Sequence, residues 1–366
     1  MKIRASRISA SITRAISREY AAKKLLRGVF QSVIQFFALF RLVLTRYRSD
    51  DFLSLRQEVW QLDEAEYVAS FQEADPGAGG SRRRHGKQRE ESQLVAVGDL
   101  GYSGSTFFTT PNGKYLIKSL PRRFEHEFFA RDLFDDYVDH MRARPESLLV
   151  RITDMVRAPQ ATLGGMLGVA PTHHIVMENL LYGKEQEREA SMREAWETYD
   201  LKPSDFFFPE RDLAGGKLAP DSVIERLVDE FPDRVRVTAA QKRELRELLE
   251  ADTALLAGHN AVDYSIFLVR FPGPSARGEG AGAVPSVPSV ASGWRAGLDD
   301  VDGLWTYRLV VLDFFWAKHK LRAKAMTGLV GALNLVARKG PMSITADPAE
   351  YRERFLKMVD EMVIIG

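Results

Sequence analysis

The sequence predicts an α+β fold, in which an antiparallel sheet with one helix is followed by a mainly helical part with a second, smaller sheet. Two observations carry this prediction. Strand-like apolar runs are clustered between residues 94 and 181, and amphipathic helical stretches dominate the chain after residue 238. The 366 residues, 45% of them hydrophobic, are enough for one large bilobal unit or two small domains with a real core.

The first 50 residues are predicted to form a basic amphipathic extension. Residues 1–48 contain eleven Lys and Arg against one acidic residue, Glu19, although the whole chain has a net charge of only +1. Such a helix suits a protein or membrane surface, and a mitochondrial transit peptide is the alternative. The most apolar run, Val29 to Phe40, is too short to cross a bilayer, which needs roughly 20 apolar residues.

A first lobe is predicted over residues 51–181. An early helical segment precedes a glycine-rich, then basic, loop over residues 75–92. The turn Pro111-Asn112-Gly113 predicts a hairpin, and a helix over residues 124–141 separates two groups of strands. The predicted strands are residues 94–100, 105–110, 114–120, 147–155 and 173–181. This pattern predicts an antiparallel sheet that carries one helix.

A second lobe is predicted over residues 182–366. Two helix starts are recognisable, a capping box at Thr238 and Gln241 and a capping Asp347 followed by Pro348. Two apolar strands, residues 263–271 and 307–315, lie on either side of a Gly-, Pro- and Ser-rich segment. Because this segment lacks apolar residues, we expect a disordered insertion over about residues 272–300.

The turn from Gly101 to Ser105, between two predicted strands, is a candidate phosphate-binding loop. Small side chains at Ser103, Gly104 and Ser105 leave backbone N–H groups free to surround phosphate. Alone, a Gly-Ser hairpin is more often an ordinary turn. Its value comes from Lys118 on the following strand, because a lysine there can point beneath the loop and hold phosphate oxygens.

A carboxylate on the helix after this strand can pair with Lys118 and keep it charged. Glu125 and Glu127 are both candidates, and Glu127 is preferred because Glu125 can instead serve near the helix start. An exposed helix face is the alternative interpretation of both residues.

Two aspartates stand at the ends of apolar strands. Asp263 opens the run DYSIFLVRF, and Asp313 ends the run RLVVLD. Strand-end aspartates on neighbouring strands can meet at one point, where one accepts a hydroxyl proton and the other holds Mg²⁺ with ATP phosphates. Each aspartate alone is more often a cap or turn residue. Together with the glycine loop and the strand lysine, they predict a phosphotransferase.

Several other chemistries are excluded by the sequence. The chain has no cysteine, which excludes disulfides, thiolate metal sites and cysteine nucleophiles. It has no Walker A pattern, and it lacks the His-Arg-Asp and Asp-Phe-Gly motifs of protein kinases. The seven histidines show no metal-ligand spacing, and no Gly-x-Ser-x-Gly elbow supports a hydrolase.

The segments GYSGSTFF and YLIKS resemble the glycine-serine loop and lysine strand of the phosphatidylinositol phosphate kinases, as in the phosphatidylinositol-4-phosphate 5-kinase-like proteins. Further segments match in the same order: Glu178-Asn179-Leu180, Tyr199 to Lys202, Val262 to Ile266, Leu312-Asp313, and Ser343-Ile344 to Tyr351, Arg354 and Phe355. The Tyr-Asp-Leu-Lys and Asp-Tyr-Ser motifs are the specific part. The resemblance implies a bilobal lipid-kinase fold of the SAICAR synthase-like type.

The resemblance also implies a role for each matching residue. Lys118, paired with Glu127, would bind phosphate oxygens of ATP, and Lys202 would lie near the phosphates. Asp263 would be the catalytic acid–base residue, and Asp313 would ligate Mg²⁺. The remaining ATP contacts would come from the glycine loop and the adenine pocket, which are Ser103, Gly104, Ser105, Met177, Asn179 and Leu180.

The partners implied by the resemblance are an anionic membrane and a phosphoinositide lipid, with no nucleic acid. A flat basic face would meet the membrane, and a loop would read the inositol head group through Lys318, Lys320, Arg322 and Lys324. On this view the chain is a cytoplasmic protein bound peripherally to a membrane, with a mitochondrial location as the alternative. A homodimer is left open.

Two departures from the family pattern leave alternatives open. The family usually has Gly after Tyr-Asp-Leu-Lys, whereas this chain has Pro203, which fixes φ and removes an N–H. Arg322 stands where some members carry an acidic residue that sets which phosphoinositide is used. The leading hypothesis is an active lipid kinase. The alternatives are a pseudokinase that binds phosphoinositides as a scaffold, and a kinase of related fold for a soluble substrate.

Overall fold

The computed structural model describes residues 2–17, 42–72, 94–97, 106–159, 162–166, 170–187, 189–203, 231–277, 284–285, 287, 293–317 and 347–366. The chain divides into two compact units. The first comprises Met1–His126, Arg151–Glu185 and Val287–Val290, and the second comprises Glu127–Val150, Gln186–Ser286 and Ala291–Gly366. Both units contain helices and antiparallel strands, which confirms the predicted α+β class.

The first unit is built on a six-stranded sheet. Its strands are β1 (Thr45–Arg46), β2 (Val95–Val97), β3 (Phe107–Thr109), β4 (Tyr115–Ser119), β5 (Ile152–Arg157) and β6 (His173–Glu178). They lie in the order β1-β5-β6-β4-β3-β2, and every pair is antiparallel. The predicted hairpin joins β3 to β4, where Gly113 takes a φ of 73° that favours glycine.

The helices that begin in the first unit are α1 (Lys2–Ser17), α2 (Ser49–Ser54), which continues as a π-helical turn (Leu55–Val59), α3 (Glu64–Ala69), α4 (Arg123–Glu127) and α6 (Leu163–Met166). Helix α1 carries Ile8, Ile12 and Ile16 at a spacing of four residues, which places them on one face. That face is buried in the core of the first unit, and Ser9 Oγ accepts a hydrogen bond of 2.7 Å from the N–H of Leu94. The apolar face of residues 2–17 therefore meets protein.

A buried ion network holds the early helices to this sheet. Arg56 is fully buried, and it donates hydrogen bonds to Glu64 at 2.7 Å and to the Thr153 carbonyl at 2.6 Å. Asp154, also fully buried, accepts from Arg46 at 2.6 Å and lies 3.6 Å from Arg56. Because buried charges need partners, these four charges fix where α2 and α3 dock.

The second unit contains a four-stranded antiparallel sheet in the order β11-β12-β10-β7. These strands are β7 (Glu197–Leu201), β10 (Ser265–Pro272), β11 (Leu298–Asp299) and β12 (Trp305–Leu312). The second unit also contains two separate two-stranded ladders. One is antiparallel and pairs β9 (Ala261–Val262) with β13 (Trp316–Ala317). The other is parallel and pairs β8 (Val235–Val237) with β14 (Val363–Ile365).

The helices of the second unit are α5 (Phe134–Ala143), which continues from a π-helical segment (Phe128–Leu133), α7 (Ala190–Glu194), α8 (Ala239–Gly258) and α9 (Pro348–Met362). The capping box at Thr238 and Gln241 is formed, and Asp347 caps α9 with Pro348 in its first turn. Among the helices in the described part of the chain, none is long and apolar enough to cross a membrane.

The two units differ from the predicted lobes in where α5 belongs. The sequence placed residues 124–141 in the first lobe, but residues 127–150 are part of the second unit. The reason is aromatic packing, because Tyr137 stacks on Phe314 and Phe129 lies edge-on to Phe315. Residues 148–150 also pair with Val311 of β12, so β5 begins at Ile152, later than predicted.

The predicted disordered insertion, residues 272–300, is wrong for residues 272–277 and 293–300, where the structure shows backbone hydrogen bonds such as the 2.8 Å one from the Gly273 N–H to the Leu304 carbonyl. Trp294 is only 1% exposed, and its carbonyl accepts a hydrogen bond of 2.8 Å from the N–H of Leu309. One tryptophan buries enough apolar area to order a segment whose average composition is polar. The apolar run over residues 29–40 lies outside the described residues.

Candidate active site

Three predicted site residues of the second unit lie at one edge of its four-stranded sheet. Strand β10 pairs antiparallel with both β7 and β12, so its first residues lie beside the last residues of both neighbours. Lys202 directly follows β7, Asp313 directly follows β12, and Asp263 precedes β10 by two residues. The chain thus brings together three charged residues that are up to 111 positions apart.

Both aspartates have a left-handed backbone. The φ angles are 65° at Asp263 and 61° at Asp313, a region in which only a few per cent of non-glycine residues are found. Aspartate is one of the few residues that tolerate this region, and such conformations persist only where their surroundings hold them. The ladder between β9 and β13 continues beyond the two aspartates. They therefore occupy a break between two antiparallel ladders.

The electrostatics of this edge are set by an ion pair. Lys202 Nζ lies 2.7 Å from Asp263 Oδ1, and Asp263 is only 8% exposed. Burial by itself lowers the pKa of the Lys202 ammonium, but Asp263, with further contributions from Asp200 and Asp313, raises that pKa above its ordinary value. Lys202 therefore stays charged at neutral pH and binds one oxygen of the Asp263 carboxylate.

Asp200 is a neighbour of this site that is not among the residues predicted from the sequence. It lies on β7, two positions before Lys202, within the Tyr-Asp-Leu-Lys motif. The signal was present in the sequence, because residues i and i+2 of a strand share one face. Its carboxylate adds to the negative potential around the lysine.

The carboxylates at this edge fit a divalent cation that shares its ligands with a nucleotide. Among the described residues there is no group of three or more His, Asp or Glu side chains that could hold a metal ion by themselves. Mg²⁺ is commonly bound by one or two carboxylates together with substrate phosphates. Asp313, whose negative charge reaches Lys202, is the carboxylate of this edge that could hold such a cation together with nucleotide phosphates.

Lys118 lies in the first unit, as the sequence predicted for the lysine strand. It is on β4, between Phe107 of β3 and Ile175 of β6, and it is 6% exposed. Its Nζ lies 5.8 Å from the centre of the Phe107 ring. Strand β3 begins two residues after the predicted glycine loop, so β4 carries Lys118 beside the strand that leaves the loop. Convergence of Lys118 with the aspartates stays a prediction.

The two candidate glutamates differ in their surroundings. Glu125 is 6% exposed and lies 3.4 Å from Arg122 within the first turn of α4. Glu127 ends α4, and its carboxylate lies 3.7 Å from Arg131. The preferred pairing of Glu127 with Lys118 stays a prediction, and Glu125 is the more deeply buried carboxylate of α4.

The predicted adenine-pocket residues lie at the end of β6 in the first unit. Met177 and Leu180 are buried, at 4% and 3% exposure. Asn179 is tied to the hairpin between β3 and β4, because its amide donates to the Gly113 carbonyl at 2.8 Å and its backbone N–H donates to the Lys114 carbonyl at 3.1 Å. The Asn179 side chain thus orders the backbone that leaves β6.

Seven predicted site residues lie outside the described part of the chain. They are Ser103, Gly104 and Ser105 of the glycine loop and Lys318, Lys320, Arg322 and Lys324 of the head-group loop. Their roles stay predictions.

Known proteins with similar sequences include a Plasmodium falciparum protein named phosphatidylinositol 4-phosphate 5-kinase, which is 30% identical over 178 residues, 48% of this chain and 10% of that protein. A probable phosphatidylinositol phosphate kinase of Dictyostelium discoideum is 26% identical over 186 residues, 50% of this chain and 23% of that protein. A mouse 1-phosphatidylinositol 3-phosphate 5-kinase is 21% identical over 332 residues, 87% of this chain and 12% of that protein. The chain spans between a tenth and a quarter of the length of these relatives.

A family model described as phosphatidylinositol-4-phosphate 5-kinase matches residues 88–293. The matched span includes Lys118, Lys202 and Asp263 and ends before Asp313. It contains the Tyr-Asp-Leu-Lys and Asp-Tyr-Ser motifs, whose charged residues form the ion pair at the sheet edge. This match covers more than half of the residues of the chain. The chain therefore belongs to the phosphatidylinositol-4-phosphate 5-kinase family.

Proposed function

We propose that the chain transfers the γ-phosphoryl group of ATP to a ring hydroxyl of a phosphatidylinositol phosphate at the surface of an anionic membrane. The two units would be the two lobes of a SAICAR synthase-like lipid kinase. The observation that carries the proposal is the group of Lys202, Asp263 and Asp313 at one sheet edge, in a chain of this family.

Asp263 is the proposed acid–base residue. The inositol hydroxyl oxygen attacks the γ-phosphorus, the bond from that phosphorus to ADP breaks, and the Asp263 carboxylate takes the hydroxyl proton. Lys202 binds Asp263 Oδ1 at 2.7 Å, which orients the carboxylate. The other oxygen, Oδ2, is then the proposed proton acceptor. The left-handed backbone of Asp263 holds the side chain at the end of the strand.

Asp313 is the proposed ligand of Mg²⁺, which when bound would neutralise charge on the ATP phosphates. The two residues that follow Asp313 are fixed by aromatic packing, since Phe314 packs on Tyr137 and Phe315 packs on Phe129. Lys118 is a further proposed contact to the ATP phosphates.

The substrate class is a phosphorylated inositol lipid. The relatives are named as kinases of phosphatidylinositol 4-phosphate and of phosphatidylinositol 3-phosphate, so a monophosphorylated lipid is the shared element of their names. An anionic membrane is the proposed partner because the substrate itself is an anionic lipid.

Turnover on vesicles tests this proposal. Purified chain is mixed with labelled ATP, Mg²⁺ and vesicles that contain each phosphatidylinositol monophosphate in turn. We expect labelled lipid from the wild type and a loss of at least about 100-fold in Asp263→Asn, the range expected for removal of an acid–base group. Asp139→Asn is the control, because Asp139 is a 76% exposed carboxylate of the same unit.

Two other outcomes would replace the proposal. Vesicle binding with no turnover on any monophosphorylated lipid identifies a pseudokinase that acts as a phosphoinositide-binding scaffold. Full turnover on a soluble inositol phosphate, without vesicle binding, identifies a kinase for a soluble substrate.

A further inference from the structure

We propose that Tyr351, on the last helix, is a positioning residue that holds Asp263 in place through the backbone carbonyl of Tyr264. This inference rests on the proposed function, since it assigns a role in the same site. It extends the site to helix α9, which lies beyond residues 88–293 of the family match and carries none of the predicted site residues.

The contact between Tyr351 and the site is a buried hydrogen bond. Tyr351 is fully buried, and its hydroxyl donates to the carbonyl oxygen of Tyr264, the residue that follows Asp263. The two tyrosine rings meet edge-to-face with their centres 4.8 Å apart. Phe355, one helical turn after Tyr351, also packs on the Tyr264 ring, with the ring centres 4.8 Å apart. Helix α9 thus contacts both the backbone carbonyl and the ring of Tyr264.

The backbone held by this contact is the strained one. Asp263 has a φ of 65°, and regular pairing of β10 begins only at Ser265. A left-handed non-glycine residue persists only when neighbouring contacts fix it. The hydrogen bond from Tyr351 fixes the peptide unit between Tyr264 and Ser265, where the left-handed turn passes into the regular strand.

The pKa of the Tyr351 hydroxyl also reflects the nearby Asp263 carboxylate. Burial raises the pKa of the Tyr351 hydroxyl well above its ordinary value, and the negative charge of Asp263 raises it further. The hydroxyl therefore remains a hydrogen-bond donor throughout the neutral pH range.

Helix α9 is itself firmly attached to α8. Arg352 donates to the Thr253 hydroxyl at 3.1 Å and to the Glu250 carbonyl at 3.0 Å. Lys242, near the start of α8, donates to the Val363 carbonyl at 2.7 Å, just after α9 ends. These contacts hold α9 in place against α8. The Tyr351 hydroxyl is therefore a fixed hydrogen-bond donor to the Tyr264 carbonyl.

The substitution Tyr351→Phe tests this role, because it removes the hydroxyl and keeps the ring contacts. We expect kcat for the lipid to fall by about 10- to 100-fold, the cost of a misplaced catalytic group, while KM for ATP changes less than about twofold. Tyr67→Phe is the matched control. Tyr67 is a buried tyrosine of the first unit whose hydroxyl lies 3.4 Å from the Thr153 hydroxyl, and its loss should leave kcat unchanged.

A second measurement does not depend on turnover. Hydrogen–deuterium exchange of the peptide that covers residues 261–266 should be faster in Tyr351→Phe and unchanged in Tyr67→Phe. An unchanged kcat, or equal changes in kcat and in KM for ATP, overturns the positioning role in an active enzyme. If the wild type shows no lipid turnover, the proposed kinase function fails, and unchanged exchange in Tyr351→Phe then overturns the positioning role separately.

Discussion

Acid should destabilise the first unit through His174, a buried histidine on β6. It is 0% exposed and lies between Ser119 of β4 and Val156 of β5. Within the described part of the chain, neither nitrogen of its ring has a hydrogen-bond partner. Burial therefore lowers the pKa of His174 from 6.5 to about 3, since nothing stabilises a charged imidazolium at this position.

The sign and size of the effect follow from this lowered pKa. The unfolded chain takes up a proton near pH 6.5, whereas the folded chain resists protonation until about pH 3. The stability contributed by neutral His174 is complete above pH 6.5 and is lost as the pH falls from there towards 3. Each pH unit in that window costs about 1.4 kcal/mol, so lowering the pH from 7 to 5 costs about 2 kcal/mol.

Denaturant unfolding of wild type and His174→Leu at pH 7 and pH 5 measures this cost. We expect the variant, which has a side chain of similar size that cannot be protonated, to lose about 2 kcal/mol less than the wild type over this range. The pKa of neighbouring His173 is also lowered to about 3, by burial first and then by His126. His174 is the third and a smaller cause of that lowered pKa, so most of the His173 contribution cancels in the difference.

Ser119→Ala is the matched control. Ser119 is the strand neighbour of His174, and its buried hydroxyl accepts a 2.7 Å hydrogen bond from the N–H of Thr106. Its loss should lower stability equally at both pH values. Parallel loss of stability in wild type and His174→Leu would refute the reasoning, because it would mean that His174 is not held neutral.

Four further predictions follow from the site and the packing around it. Lys118→Met should reduce lipid turnover by at least about 100-fold in the vesicle assay, since a phosphate contact is lost, and near-normal turnover would remove Lys118 from the site. Thr238→Ala should lower the free energy of unfolding by about 1 kcal/mol, because it removes the capping box with Gln241, and an unchanged melting curve would contradict this. Arg56→Met should cost about 3 kcal/mol or more, because Asp154 remains buried with one fewer cation, and a smaller loss in denaturant titration would show that Arg46 suffices. Vesicle binding should weaken as salt rises to about 0.1 M, where charges are screened over about 10 Å, and salt-independent sedimentation would point to apolar attachment instead.

The sequence predicted best where the determinant is local. The capping box at Thr238 and the capping Asp347 are formed as predicted, since a cap depends on residues within three positions. The Pro111-Asn112-Gly113 turn is also present, because Gly113 supplies the left-handed φ that a tight turn requires. Motif order along the chain was enough to indicate the family.

Prediction was weaker where the determinant is a distant contact. Trp294 orders part of a segment whose composition predicts disorder, and the N–H of Leu309, 15 positions later, fixes its backbone. Residues 148–150 look like the start of a first-lobe strand in the sequence, but they pair with Val311, more than 160 positions later, within the second unit. In each case the partner lies too far along the chain for periodicity or composition to reveal it.

The sequence by itself determined the α+β class, the helix and hairpin signals and the order of the charged motifs. Tertiary structure decided that Lys202, Asp263 and Asp313 share one sheet edge, and that Tyr351 reaches the same loop from the last helix. The physical reason is range. Caps, turns and periodicity act over a few residues, whereas strand register and the support of a left-handed backbone come from groups that only folding brings together.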